Sequence, residues 1–389
     1  MSPIAWIPGL EVAQVAGSTQ TPSRQLPEAQ SGVAMDGTRV GFQAVKDVAA
    51  LRENLGERAM AGFGGVAEYG ITVRWDKNFL TLLYLTLSRS PNLRLYGGVR
   101  LGGTLTLEEA WRLGVDHVAI AVGAGKPTLV DIENNLCRGI RKASDFLMAL
   151  QLTGAFKKDS IANLQIRLPA VVIGGGLTAI DTATELLAYY IVQVEKSLSR
   201  WERLLEGANG NRDAQEAALL RSFDKEEREI LLEQLAHGRE VRAERERATS
   251  EGRAPNFVRL LDSWGGVSLV YRKNLIDSPA YRLNHEEVEK SLEEGVRYIE
   301  RMSPKAALVD EYGAIRAMTF ERQAHEAGKW RNTGEIVEMP ARTVCVAAGT
   351  SPNTIYEKEY PGTFQLGKGG YFAPHRVEIE GHGPSRTTR

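Results

Sequence analysis

Three consecutive glycines between an apolar run and a helix-forming run are the clearest chemical pattern in this sequence. The apolar run is Ala-Val-Val-Ile at 170–173, and the helix-forming run continues without proline to Leu187. A buried strand that turns directly into a helix through Gly-x-Gly-x-x-Ala is typical of a turn that binds a dinucleotide. The candidate binding residues are Gly174, Gly175, Gly176, Leu177, Thr178 and Ala179.

The small residues of this turn each have a physical reason to be small. Gly174 permits the tight turn, and Gly176 lets the backbone approach a pyrophosphate. The unpaired N–H groups at the start of the helix would receive the negative charge, and Ala179 allows the helix to pack closely on the strand. The alternative is a glycine-rich turn between strand and helix that binds no ligand.

A second apolar strand, Val267 to Tyr271, indicates which dinucleotide is bound. The strand ends in Arg272 and Lys273, where an NAD(H) site normally has an acidic residue for the ribose 2′-hydroxyl. Two basic side chains can hold a 2′-phosphate through charge-assisted hydrogen bonds, so the sequence favours NADP(H) and leaves NAD(H) open. The competing interpretation is a solvated basic strand end, because Arg and Lys are mostly exposed whatever their role.

A long charged segment separates these two strands. A standard unit places the second strand about 20 residues after the fingerprint, whereas here residues 188–264 intervene. Dense Glu, Arg, Lys and Ala with spaced leucines predict an inserted helical hairpin. Its charges are interpreted as solvated helix faces, and docking of a partner is the alternative.

Apolar spacing and capping residues predict the elements around these strands. Two further buried strands are predicted at His117–Val122 and Ala341–Ala348. Helices are predicted at Thr106–Leu113, at Ala143–Ala155 with Gly154 at its end, and at His285–Glu294 between Asn284 and Gly295. Strands that alternate with helices in this way predict an α/β fold with a parallel sheet.

Composition limits the classes of function. The 389 residues suffice for about two domains, and a net charge of −1 offers no long-range attraction to nucleic acid or to an anionic membrane. No apolar run is long enough for a bilayer and no signal peptide is visible, so we expect a cytoplasmic protein. Cys137 and Cys345 form no Cys-x-x-Cys, and no histidine has a partner at metal-ligand spacing. We therefore expect no metal site, and no general acid or base can be named.

Several blocks of the chain resemble the FAD-dependent pyridine-nucleotide oxidoreductases typified by the small subunit of glutamate synthase. In chain order, the blocks are Phe63–Ile71, Val118–Pro127, Gly174–Asp181, Val270–Lys273, Val346–Gly349 and Pro352–Asn353. The resemblance implies that the glycine turn holds NADPH and that Arg272 and Lys273 bind its 2′-phosphate. It also implies an FAD whose flavin packs beside Gly123, Ala124 and Gly349.

Both ends of the sequence depart from this family pattern. FAD is normally held by an N-terminal glycine fingerprint and a C-terminal Gly-Asp block, and neither is present. Val15–Ser18 and Gly32–Asp36 resemble remains of the first two strands, but Pro22 falls where the phosphate-binding helix would begin. The expectation is a truncated or partly degenerate relative of a longer enzyme.

The whole sequence predicts an α/β fold of two interleaved Rossmann-like, three-layer domains with a helical insertion. An incomplete FAD-type domain is placed at 1–160 and completed by 349–389, and the NAD(P)-binding domain is placed at 161–348. The expected function is hydride transfer from NADPH to FAD and on to an unknown acceptor, supplied by a partner domain or subunit. The alternatives are a non-catalytic or degenerate dinucleotide-binding module of a larger multidomain oxidoreductase, and a dehydrogenase without flavin.

Overall fold

The computed structural model describes residues 87, 91–94, 96–156, 160–162, 164–206 and 211–374. The chain divides into two compact units. The first contains the described parts of Thr81–Lys126 and Thr350–Arg389, and the second, which contains Pro127–Gly349, is inserted between them in sequence. The predicted remains of the flavin-binding strands and the block Phe63–Ile71 lie outside the described residues.

Helices and strands of the described chain are numbered in chain order. The helices are α1 Leu107–Arg112, α2 Ala143–Leu152, α3 Leu177–Glu206, α4 Arg212–Arg221, α5 Lys225–Ser250, α6 Val258–Ser263, α7 Pro279–Leu283, α8 His285–Glu293 and α9 Ile355–Glu359. The strands are β1 Lys126–Pro127, β2 Ile140–Lys142, β3 Ala170–Ile173, β4 Val267–Val270, β5 Arg297–Ile299, β6 Met302–Val309, β7 Ile315–Glu326, β8 Lys329–Pro340, β9 Thr343–Val346 and β10 Thr350–Ser351. None of these helices is both long enough and apolar enough to cross a membrane.

A five-stranded parallel sheet forms the centre of the second unit. Its strands stand in the order β2-β9-β3-β4-β5. Ile173 pairs with Val270 on one side and with Val346 on the other, so the three central strands end at the same level. Every residue of β3 and β4 is buried. Central parallel strands of this kind require cover on both faces of the sheet.

Helices cover one face of this sheet and a second sheet covers the other. Val172 and Leu269 point into a core that includes residues of α2, α3 and α8. Val171 and Ile173, one position away, point into a separate core with Phe320. Phe320 belongs to an antiparallel sheet of order β6-β7-β8. The alternation of side chains along β3 therefore produces three layers: helices, parallel sheet and antiparallel sheet.

The charged segment after the glycine turn does form helices, but its first part continues α3, the helix that begins at the glycine turn. α3 runs unbroken for 30 residues, about 45 Å, through the predicted start of the insertion at 188. α3 and α5 lie close together at Gly238, where an added Cβ would lie 2.6 Å from the carbonyl oxygen of Val194. The far part of α3 packs into a small separate core formed by Leu198, Trp201, Leu205 and Leu235.

α5 also covers the amino edge of the parallel sheet. Glu233 of α5 accepts a hydrogen bond from Arg342, just before β9, at 2.5 Å, and lies 3.4 Å from the guanidinium of Arg167, shortly before β3. Arg138, just before β2, pairs with Glu226 of α5 at 2.9 Å. These ion pairs place the helical segment at the end of the sheet opposite the glycine turn.

The first unit differs from prediction in one important respect. α1 forms as expected, with Thr106 and Glu109 capping its start reciprocally. The predicted buried strand His117–Val122 is wrong, because these residues form no strand and the Val122 side chain is 42% exposed. An apolar run is buried as a strand only where neighbouring strands supply hydrogen-bond partners and cover, and none of the described strands pairs with this segment.

Candidate functional site

The glycine turn lies at the carboxyl end of β3, where α3 begins. Gly174 donates its N–H to the carbonyl oxygen of Val270 at 3.1 Å. The carbonyl oxygen of Gly175 accepts the N–H of Ala280, in α7, at 3.0 Å. The N–H of Gly174 therefore joins β3 to β4 and is not free to donate to a ligand.

Four consecutive backbone donors remain at the start of α3. Among the hydrogen bonds between described residues, none uses the N–H of Gly175, Gly176, Leu177 or Thr178. No acidic side chain lies in the first turn of α3, whereas α5 begins with Glu226 and Glu227. The partial positive charge of the helix start therefore has no acidic partner within the helix itself.

Each glycine of the turn has a distinct steric role. A Cβ on Gly174 would lie 2.9 Å from the carbonyl carbon of Ala347, beyond β9, and a Cβ on Gly175 would lie 2.5 Å from the ring of Tyr271. A Cβ on Gly176 would meet no atom within 4 Å. None of the three has a positive φ. Gly174 is thus needed for the approach of β9 and not for a left-handed turn, and Gly176 faces open space.

The beginning of α3 packs as its composition predicts. Ala179 is fully buried against the sheet, Leu177 is half-buried and Thr178 is exposed. Thr182 donates its hydroxyl to the carbonyl oxygen of Thr178 at 2.6 Å. The small side chain at Ala179 therefore allows the helix start to lie directly on β3.

The basic strand end lies beside the glycine turn. The ring of Tyr271 packs on Gly175, and Arg272 and Lys273 follow it immediately. Arg272 is exposed and Lys273 is half-buried. None of the ion pairs formed within the described ranges includes either side chain. Two cations that have no counter-ion among the described residues thus directly follow the tyrosine that packs on the glycine turn.

Sequence reasoning missed the segment that follows this strand end. Ser278 is fully buried and caps α7 by accepting the N–H of Tyr281 at 3.1 Å. α7 then places the N–H of Ala280 against Gly175, so the segment folds back onto the glycine turn. The signal was available, because serine followed by proline, here Pro279, is a common helix start.

The three residues predicted to lie beside a flavin are divided between the units. Gly123 and Ala124 belong to the first unit and are exposed, and Gly349 belongs to the second. Gly123 has a φ of 64° and its carbonyl oxygen accepts the N–H of Asn353 at 3.1 Å. Gly349 has a φ of 98°. Their place beside a flavin stays a prediction.

Other candidate groups contribute no further chemistry. Cys345 lies fully buried in β9, and burial raises the pKa of its thiol to about 12, so it is a core residue as expected. Over the ranges that the structure describes, no group of three His, Cys, Asp or Glu side chains could hold a metal ion.

Comparison with known proteins identifies curated relatives of this chain. No family model matches the chain. An uncharacterized protein of Rickettsia prowazekii (strain Madrid E) is 39% identical over 315 residues, which are 78% of this chain and 41% of that protein. The chain therefore spans less than half the length of the curated relative that it matches.

Solved structures with detectable likeness are distant. FprA of Mycobacterium tuberculosis in complex with NADPH has 15% identity and a TM-score of 0.42, covering 77% of this chain and 63% of that one. A FAD-dependent pyridine nucleotide-disulphide oxidoreductase of Desulfovibrio vulgaris has 13% identity and a TM-score of 0.30, covering 63% and 38%. The fold class rests on this chain's own topology. β4 and β5 follow β3 in sequence order across the sheet, and the connection from β3 to β4 consists of the helices α3 to α6. The second unit is therefore a Rossmann-like α/β domain.

Proposed function

We propose that this chain binds NADP(H) at the glycine turn and acts in a flavin-linked oxidoreductase similar to the small subunit of glutamate synthase. One observation carries the proposal. Four adjacent backbone N–H groups at the start of α3 have no acceptor among the described residues, and Gly176 beside them faces open space. A diphosphate is the group that such an array of donors binds best.

The diphosphate would be held by the backbone. The N–H groups of Gly176 and Leu177 would donate to phosphate oxygens, and the missing side chain of Gly176 would allow them to approach. The dipole of α3 adds to this attraction because its first turn has no acidic side chain. Gly174, whose N–H is used by Val270, positions the turn and does not bind the ligand.

The nucleotide would be identified by its 2′-phosphate. Arg272 and Lys273 follow the second strand, beside the turn, at the position where a dinucleotide-binding unit contacts the adenosine ribose. An arginine can hold a phosphate by two parallel hydrogen bonds, and a lysine adds a point charge. These side chains support NADP(H) over NAD(H).

The flavin part of the proposal is supported by the sequence resemblance. When both cofactors are bound, the nicotinamide supplies a hydride and the flavin accepts it, so the protein mainly binds and orients them. Gly123, Ala124 and Gly349 are proposed to lie beside the flavin. A partner domain or subunit is proposed to carry the final acceptor, and the much longer Rickettsia relative is consistent with a further domain.

Titration of the purified chain with NADPH, NADH and FAD tests this function. We expect NADPH to bind at least about tenfold more tightly than NADH, because an arginine–phosphate contact contributes about 1.5–3 kcal/mol. The double variant Arg272→Ala/Lys273→Ala should lose this difference and retain NADH binding. Equal affinities in the wild type, or an unchanged difference in the variant, would contradict the assignment.

The missing N-terminal glycine fingerprint favours one alternative function. A chain that cannot hold FAD would be a dinucleotide-binding module of a larger multidomain oxidoreductase. Visible flavin absorbance of the FAD-titrated protein, after free FAD is removed, distinguishes the two. Retained absorbance with NADPH-dependent bleaching supports the oxidoreductase, whereas a colourless protein that binds NADPH supports the module.

A further inference from the structure

A second arginine lies close to the basic strand end without having been predicted there. Arg282 in α7 is 67% exposed in its side chain and forms an ion pair with Asp277, with Nη2 and Oδ1 separated by 3.6 Å. The other carboxylate oxygen of Asp277 accepts a hydrogen bond from the Asn274 side-chain amide at 3.2 Å. Asp277 is thus held by its own loop, and within the described part of the chain the Arg282 side chain is held by Asp277 alone.

The same segment is fixed to the glycine turn. Ala280, two residues before Arg282, donates its N–H to the carbonyl oxygen of Gly175, and the ring of Tyr271 packs on Gly175 from β4. Burial raises the pKa of Tyr271, Arg272 and Arg282 oppose this rise, and Asp277 adds to it. The charges of Arg272, Arg282 and Asp277 therefore all act on Tyr271, the tyrosine that packs on the turn.

This arrangement assigns a role to both partners of the ion pair. We propose that Arg282 is a third cation for the 2′-phosphate of the bound nucleotide, beside Arg272 and Lys273, and that Asp277 is the counter-ion that holds Arg282 when no nucleotide is present. The inference deepens the proposed function, on which it rests. Specificity for the phosphorylated nucleotide is then set by Arg272, Lys273 and Arg282 together, and Asp277 opposes it.

Charge and geometry both favour movement of Arg282 from Asp277 to the 2′-phosphate when the nucleotide binds. At 3.6 Å the Arg282–Asp277 pair is longer than the 2.7–2.9 Å typical of charge-assisted hydrogen bonds. An exposed pair of this kind contributes little, about 0–1 kcal/mol. A phosphate carries more charge than a carboxylate and accepts two parallel hydrogen bonds from a guanidinium. Arg282 can therefore leave Asp277 for the phosphate, while Asn274 keeps Asp277 in place.

Calorimetric titration of the full chain with adenosine 2′,5′-bisphosphate and with 5′-AMP tests the inference, because the two probes differ only in the 2′-phosphate. Arg282→Ala should weaken the bisphosphate about three- to tenfold and leave 5′-AMP unchanged. Asp277→Asn should strengthen the bisphosphate about two- to fivefold, because it removes an opposing charge. Arg221→Ala, on exposed α4, is the matched control and should change neither affinity.

The outcomes separate this inference from the proposed function. If Arg272→Ala weakens binding of the bisphosphate and Arg282→Ala does not, the role of Arg282 is refuted and the proposed nucleotide site stands. If Asp277→Asn weakens the bisphosphate, Asp277 positions the site and is not a competitor, which also overturns the inference. If the wild type binds neither probe, the proposed function fails. Partial recovery in Arg282→Lys, with unchanged circular dichroism, would show that charge and not folding is measured.

Discussion

Replacing Gly176 by alanine should separate nucleotide binding from folding. An added Cβ at Gly176 meets no atom within 4 Å, and the residue has no positive φ. We expect the free energy of unfolding to stay within about 1 kcal/mol of the wild type, and any change to be stabilising, because alanine restricts the unfolded chain. Stability alone would therefore suggest that this glycine is dispensable.

Binding should respond very differently to the same methyl group. The methyl would occupy the surface through which a diphosphate approaches the amides of Gly176 and Leu177. Loss of one charge-assisted hydrogen bond costs about 1.5–3 kcal/mol, which corresponds to an affinity for NADPH that is about ten- to hundredfold weaker. NADH should weaken by the same factor, because both nucleotides share the diphosphate.

Gly174→Ala is the matched control for this experiment. Its Cβ would lie 2.9 Å from the carbonyl carbon of Ala347, so it should lower the free energy of unfolding by about 1–3 kcal/mol through overpacking. Urea unfolding and fluorescence titration with NADPH measure both effects on the same samples. NADPH binding by Gly176→Ala at wild-type affinity would refute the role of these amides. Wild-type stability of Gly174→Ala would refute the close approach of Ala347.

Three further predictions concern the core. His237 Nδ1 and the Tyr190 hydroxyl share a hydrogen bond at 2.8 Å, and burial lowers the pKa of His237 from 6.5 to about 4. Because the unfolded chain binds the proton first, the contribution of His237 to stability should fall by about 1–3 kcal/mol as pH drops from 6.5 to 4; the difference between urea unfolding of the wild type and of His237→Phe should show this slope. Gly238→Ala should destabilise the α3–α5 contact by about 1–3 kcal/mol and leave NADPH affinity unchanged in titration. Cys345 should react with an aromatic disulfide reagent only after unfolding, and rapid reaction in the native protein would contradict its burial.

Local patterns predicted the glycine turn and its helix because the determinants are contiguous. Four apolar residues, three small ones and an amphipathic run specify a buried strand and a helix start within about 20 residues. Gly295, the glycine that follows the end of α8, was predicted for the same reason, and its φ is 92°. The contact between Ala280 and Gly175 could not be inferred in this way, because it joins residues about one hundred positions apart.

The antiparallel sheet was missed because its sequence lacks the usual hairpin signals. The turn between β7 and β8 has positive φ at Ala327 and Gly328, 48° and 77°, where Asn-Gly or Asp-Gly is the common choice. β8 is largely exposed and polar, so no apolar alternation marks it. Conversely, the run His117–Val122 resembles a buried strand only in its apolar composition. Composition does not show whether other strands pair with a segment, and none of the described strands pairs with this one.

The continuity of α3 has a consequence for how the molecule opens. One end of this helix lies on the central sheet at Ala179, but its other end is held mainly by the cluster of Leu198, Trp201, Leu205 and Leu235. Few apolar contacts mean a low free energy of local opening. Backbone amides near Trp201 should therefore exchange with deuterium well before those near Ala183, although both groups belong to the same continuous helix.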